Sequence, residues 1–170
     1  MSELATAERE NAEWQVLIGK AILFFGEIEL ISVKCLGHIP VDSIGKTAVR
    51  LEFGRRVELL LEILEGRENP SVALRGLIDG FKSAKELAKT RNLIAHNPVM
   101  LDIYVNETMD DHYVERSIRS ARGGAEPFRL EALREFASDV ENLASALWGH
   151  YMNVAQTSEG AFRLHGKLDA

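Results

Sequence analysis

The stretch Thr90-Arg91-Asn92-Leu93-Ile94-Ala95-His96-Asn97-Pro98 ends one periodicity and begins another. Before it, Leu74, Leu77, Phe81, Ala84, Ala88, Arg91 and Ala95 recur at spacings of three and four. That is the period of one buried helical face, and it predicts a helix from about Ser71 to Ala95. Pro98 lacks an N–H and biases Asn97 away from helical dihedrals, so the helix stops there. After it, Leu101, Ile103 and Val105 alternate with Met100, Asp102 and Tyr104. Beyond the polar run Asn106 to Asp111 a weaker alternation resumes at Val114 and Ile118. This period of two predicts a β-hairpin from Val99 to about Arg119. Arg91 stands at a core position of the helical stripe, and a local rule broken in this way marks a functional or strained site.

The first helix is expected from Ala5–Glu8 to about Leu36, burying Trp14, Leu17, Ala21, Phe24, Ile28, Ile31 and Cys35. Phe25, Leu30 and Val33 widen that stripe, which predicts cover on more than one side. Gly37 and Pro40 end it. A second helix is expected from Ser43 to about Leu64, on the stripe Val49, Phe53, Val57, Leu60 and Leu64. Gly66 and the turn-like Glu68-Asn69-Pro70 close it. The last long helix is expected from Leu130 to Tyr151, with Leu133, Phe136, Val140, Leu143, Leu147 and Tyr151 inward. Short connections between long helices predict a mainly α chain, an up-down four-helix bundle over residues 1–152. The hairpin, residues 99–119, is inserted between the third and fourth helices, and 153–170 reads as a polar, flexible tail.

A length of 170 residues suits one domain with its own core. The net charge of −6 argues against a broadly cationic nucleic-acid surface and leaves room only for a local basic site. Cys35 is the sole cysteine, so neither an internal disulfide nor a multi-cysteine zinc site can form. The apolar run from Val16 to Val33 is broken by Lys20, Glu27 and Glu29, which predicts no membrane span. Met1-Ser2-Glu3 lacks the basic start of a signal peptide, so a cytoplasmic location is expected. His38, His112, His150 and His165 show no ligand spacing, and turn chemistry accounts for Glu107, Asp110 and Asp111. No metal or other cofactor is expected. Arg116, Arg119, Arg122 and Arg129 form the one basic cluster, read as a solvated loop in preference to an RNA contact.

Arg91, Asn92 and His96, with four residues between the arginine and the histidine, resemble the motif of the HEPN superfamily. That motif is arginine, four to six residues, then histidine, commonly with a polar residue right after the arginine. The resemblance covers the bundle from about Ala5 to Tyr151, with its specificity in this segment. It implies a metal-independent endoribonuclease of the toxin–antitoxin or phage-defence kind, acting as a homodimer whose two motifs face each other. It also implies a cognate antitoxin or nucleotidyltransferase-like partner. Other members of the superfamily are non-catalytic adaptors that bind a partner protein or nucleotide, and this is the alternative reading.

The chemistry fits those residue types. Metal-free RNA cleavage needs a base for the 2′-OH, an acid for the departing 5′-oxygen and positive charge for the phosphorane-like transition state. Histidine suits the proton steps because its unperturbed pKa is about 6.5. Arginine stays protonated and presents a planar fork to phosphate. Asn92 is placed to donate to a phosphate oxygen or to fix the histidine tautomer. One chain offers one such histidine, so a two-fold dimer through the face carrying the third helix's end would supply the second. A five-residue step separates Arg91 and His96 by about 140° on an ideal helix, so their convergence needs the arginine's reach, an unwound last turn before Pro98, or sharing across the dimer. Structural readings stand beside this one: Arg91 paired with Glu27 or Glu29, and His96 as a C-terminal cap on the helix dipole.

Overall fold

The computed structural model describes residues 3–38, 47–105, 112–121 and 126–156. They form four helices, α1 (Glu3–Gly37), α2 (Phe53–Glu65), α3 (Val72–His96) and α4 (Leu130–Gln156). Between α3 and α4 lie two antiparallel strands, β1 (Val99–Val105) and β2 (His112–Ile118). The chain is mainly α with one hairpin, as the change of period at Pro98 predicts. The expected turn at 106–111 and the expected tail from 157 onward lie outside the described residues.

Local chemistry sets the ends of α3. Ser71 caps it, its hydroxyl accepting from the Leu74 N–H at 3.2 Å. Asn97 takes extended dihedrals, φ −129° and ψ 141°, as a residue before proline must. Its amide donates back to the Leu93 carbonyl at 2.8 Å, and its carbonyl oxygen accepts from the Ala121 N–H at 3.0 Å. One side chain thus ties the helix end to the far side of the hairpin. At the opposite end Asn69 adopts φ 51°, the left-handed turn that asparagine tolerates, just before Pro70.

Two boundaries differ from the sequence reading. The second helix is not continuous to Leu64 as expected: Thr47 and Ala48 are helical, residues 49–52 interrupt the helix, and α2 begins at Phe53. The expected start at Ser43 lies outside the described residues. Val49, expected in the stripe, is exposed. Gly54 would weaken the interior of one long helix by about 1 kcal/mol relative to Ala, whereas here it falls in the first turn of α2. The fourth helix continues past Tyr151 to Gln156 because Val154 finds cover in the core.

The up-down order expected from short connections is corrected by side-chain contacts between α1 and α4. Glu13 meets Arg134, Lys20 meets Glu141, and Glu27 meets the Trp148 indole. Both positions advance together, so α1 and α4 run parallel. In contrast α3 is antiparallel to α4, since Gly76 lies against His150 and Gly80 against Leu147. Parallel neighbours need a connection that returns along the bundle, and the segment between α1 and α2, residues 38–52, has that length. The core is one cluster drawn from all four helices, Ala48 ahead of α2 and Ile118 at the base of the hairpin. Phe25, Ile28 and Ile31 of α1, Phe81 of α3 and Leu147 of α4 are fully covered within it. Helix α1 packs against α2, α3 and α4, so it is covered on more than one side as expected, while Val16, Leu23 and Leu30 on its remaining face are exposed. Among the described residues no helix is long and apolar enough to cross a membrane.

Candidate functional site

The C-terminal half of α3 borders a cleft of about 560 Å³, closed by the start of α2 and the side of α1 that carries Glu29. Arg91, Asn92 and His96 all line it. The 140° step between arginine and histidine is therefore spanned by the width of the cleft, with the arginine reaching across. Its guanidinium lies over the Phe25 ring, 4.8 Å from the centroid, a contact that a delocalised cation makes favourably. Its Nη1 donates to the Asn92 side-chain oxygen at 3.0 Å. Asn92 is thus engaged with the arginine, not with His96. Arg91 Nη2 meets Glu29 Oε1 in an ion pair. Of the two carboxylates the sequence suggests as partners, Glu29 takes the role, while Glu27 accepts from Trp148 at 3.1 Å.

The stripe explains Arg91's half-buried state. Repeats of three and four average 3.5 residues, whereas a straight helix turns every 3.6, so the buried line drifts by about 20° per heptad. By the last turn Ile94 is buried and Ala95 exposed. Arg91 falls at the edge of the core, its side chain 23% accessible. Burial lowers its pKa, yet a guanidinium stays charged under such a shift.

One residue of the cleft escapes the sequence reading. Arg56 of α2 is buried, its side chain only 9% accessible, in the register of Phe53, Val57 and Leu60. Its Nη2 stands 3.9 Å from Glu29 Oε2, and its Nη1 donates to the Val49 carbonyl at 3.4 Å. Its Nε is buried without a hydrogen-bond partner. Burial lowers this pKa as well. Glu29 therefore lies between two guanidiniums, one oxygen toward each. The available signal was an arginine three residues after Phe53 on an apolar stripe, the same kind of break that singles out Arg91.

The beginning of α2 adds to the field. Glu52 at the N-cap, φ −56° and ψ 152°, makes no side-chain capping bond, and no acidic residue stands in the first turn. The first N–H groups of a helix and its positive dipole end attract anions. Phe53 and Gly54 of that turn line the cleft beside Arg56. Glu52 also lines it, but Glu52 is exposed and Arg56 buried, so the positive charge lies deeper than the negative. Two guanidiniums, an uncapped helix start, an amide and an imidazole together can bind an oxyanion and exchange protons with it.

The other sequence candidates do not join this cleft. Arg119 pairs with Asp102, Arg129 with Glu115 and Arg116 with Glu10, so each described member of the basic cluster has its own carboxylate. Arg122 lies outside the described residues. His38 bonds the Tyr151 hydroxyl at 2.9 Å, and His150 packs over Gly76. Among the described residues no group of three or more acidic, histidine or cysteine side chains is placed to hold a metal. Comparison of the chain with family models, with curated proteins and with solved structures returns no match.

Proposed function

We propose that this protein is a metal-independent endoribonuclease of HEPN type, cutting RNA at a phosphate held in the cleft between α1, α2 and α3. The observation that carries the reading is Glu29, a carboxylate lodged between Arg56 and Arg91 where a phosphate group would find the same two forks. Arg91 and Arg56 bind the scissile phosphate and stabilise its extra charge in the transition state. Asn92 holds Arg91 in place through its side-chain oxygen. His96, exposed on the same cleft, performs one proton transfer. The opposite transfer needs a second group across the phosphorus, which a second copy supplies as its own His96 in a homodimer. A helical chain with the motif at the end of its third helix supports the HEPN assignment, and with it a toxin or defence role under a cognate antitoxin or nucleotidyltransferase-like partner.

The test is cleavage of single-stranded RNA by purified protein in EDTA. Products should carry 2′,3′-cyclic phosphate and 5′-hydroxyl ends, because the nucleophile is the neighbouring 2′-OH. DNA, lacking that hydroxyl, should remain intact. His96→Ala should slow the reaction by roughly 10²–10⁴-fold, the usual share of general acid–base catalysis. The fold should persist, since His96 is exposed at a helix end. Equal rates for wild type and His96→Ala would end the nuclease reading. They would leave a non-catalytic adaptor holding an anionic partner group in the same cleft, a reading that Glu29's present occupancy also favours.

A further inference from the structure

On the face of α1 turned away from the core, Val16, Leu23 and Leu30 are 67%, 72% and 46% exposed. Gly19 and Gly26 fall between them, giving steps of three and four over two heptads. The five residues line one shallow groove along the helix. Neither glycine is needed for packing within the chain, since a Cβ built at either would meet no atom within 4 Å. Glycine inside a helix is destabilising relative to alanine, so two of them on one bare face call for a reason outside the chain. Close approach of another helix is such a reason, with large residues of one entering notches of the other.

We propose that this face of α1 is a homodimer interface in which α1 of a second copy lies antiparallel, with the two Leu23 side chains meeting at the two-fold axis. The occupant is identified by charge. Lys20 and Glu27 flank the seam on the same side, three residues before and four after Leu23. An antiparallel pair centred there sets Lys20 against the partner's Glu27, and Glu27 against the partner's Lys20. A parallel pair sets neither cation against a carboxylate. Both groups retain capacity for this. The Lys20 ammonium meets one carboxylate oxygen, of Glu141, and Glu27 uses one oxygen for Trp148. Glu29 belongs to the opposite flank of the seam, so a two-fold pairing carries both clefts to one side of the helix pair. The inference stands on the seam alone and does not need the nuclease reading.

Sedimentation of the full-length protein at micromolar concentration tests it. Wild type should sediment as a dimer. Leu23→Glu, at an exposed position, should keep the thermal midpoint of the monomer and weaken the dimer roughly 100-fold, because two carboxylates would meet in an apolar seam. Lys20→Glu alone and Glu27→Lys alone should each be monomeric, and an equimolar mixture should recover a dimer, since both contacts are then complementary. A wild-type monomer, a dimer indifferent to Leu23→Glu, or a mixture that stays monomeric would each overturn the proposal. RNA cleavage by the wild type is the separate readout. A dimer that loses assembly in Leu23→Glu yet cuts no RNA keeps this interface without the nuclease reading. A dimer indifferent to Leu23→Glu that cuts RNA overturns this interface and leaves that reading standing.

Discussion

Two groups of arginines in this molecule are held in opposite ways. Arg116, Arg119 and Arg129, around the hairpin, each face a carboxylate of their own, and Arg119 and Arg129 are exposed. Arg56 and Arg91, in the cleft, are largely buried and share the single carboxylate of Glu29. The described members of a basic cluster legible in the sequence are thus neutralised pair by pair. The positive charge of the cleft comes from two arginines that are 35 positions apart in the sequence and sit on apolar stripes. The number of arginines in a window says little about available charge; the number of carboxylates facing each one decides it.

The strongest test of this contrast is on activity. Arg91→Ala should reduce RNA cleavage by roughly 10²–10³-fold, the usual effect of deleting one group that stabilises transition-state charge. Arg119→Ala, measured in parallel, should leave the rate unchanged. Equal losses for the two would erase the distinction. Next comes the shared carboxylate. Glu29→Gln should tighten binding of orthophosphate and of RNA, read by calorimetry, because a neutral amide no longer competes for the two guanidiniums. The same change should lower stability by about 1–3 kcal/mol in urea titration, the cost of leaving buried polar groups poorly paired. Weaker anion binding in this variant would mean that Glu29 serves only to orient Arg91.

Smaller effects belong to the hairpin. Arg119→Ala should leave the urea midpoint almost unmoved, as for other solvent-screened pairs. The smallest is a pH effect. A hydrogen bond from Ser117, at 2.6 Å, and then the Arg119 guanidinium hold Asp102 below the usual carboxylate range. A depressed folded pKa stabilises above the unfolded value, about 3.9, and that contribution fades as pH falls through the folded one. Amide protection in the hairpin, taken relative to the intrinsic exchange rate at each pH, should therefore fall on acidification below pH 4 before that of α1 responds. Asp102→Asn should remove this pH dependence.

How far the sequence discloses all this can be followed residue by residue. Ser71 and Pro98 bound α3 because capping and proline chemistry are local. Arg91's position was legible because a charged side chain interrupted an otherwise apolar period. Arg56 makes the same kind of interruption, and a stripe drawn continuously through residues 49–52 hides it. Once Val49 is placed on the stripe, nothing marks residues 49–52 as outside it. Gly54 was the overlooked sign. The direction of α1 against α4 was out of reach, because periodicity says which face is buried and not which way the neighbour runs. Leu30 shows the complementary failure: its apolar character predicted cover within the chain, whereas it is exposed.

The contacts between α1 and α4 recur every seven residues, Glu13 to Arg134, Lys20 to Glu141 and Glu27 to Trp148. Apolar stripes repeat too, so hydrophobic burial alone would tolerate a slip of two turns between parallel helices. Sliding α1 seven residues toward the end of α4 would set Glu13 against Glu141 and leave Lys20 on an indole. Sliding it seven the other way would set Lys20 against Arg134 and Glu27 against Glu141. Each near-miss docking of the two longest helices therefore brings like charges together, so the flank of α1 works as a register code during folding, penalising the competitors most similar to the native pairing.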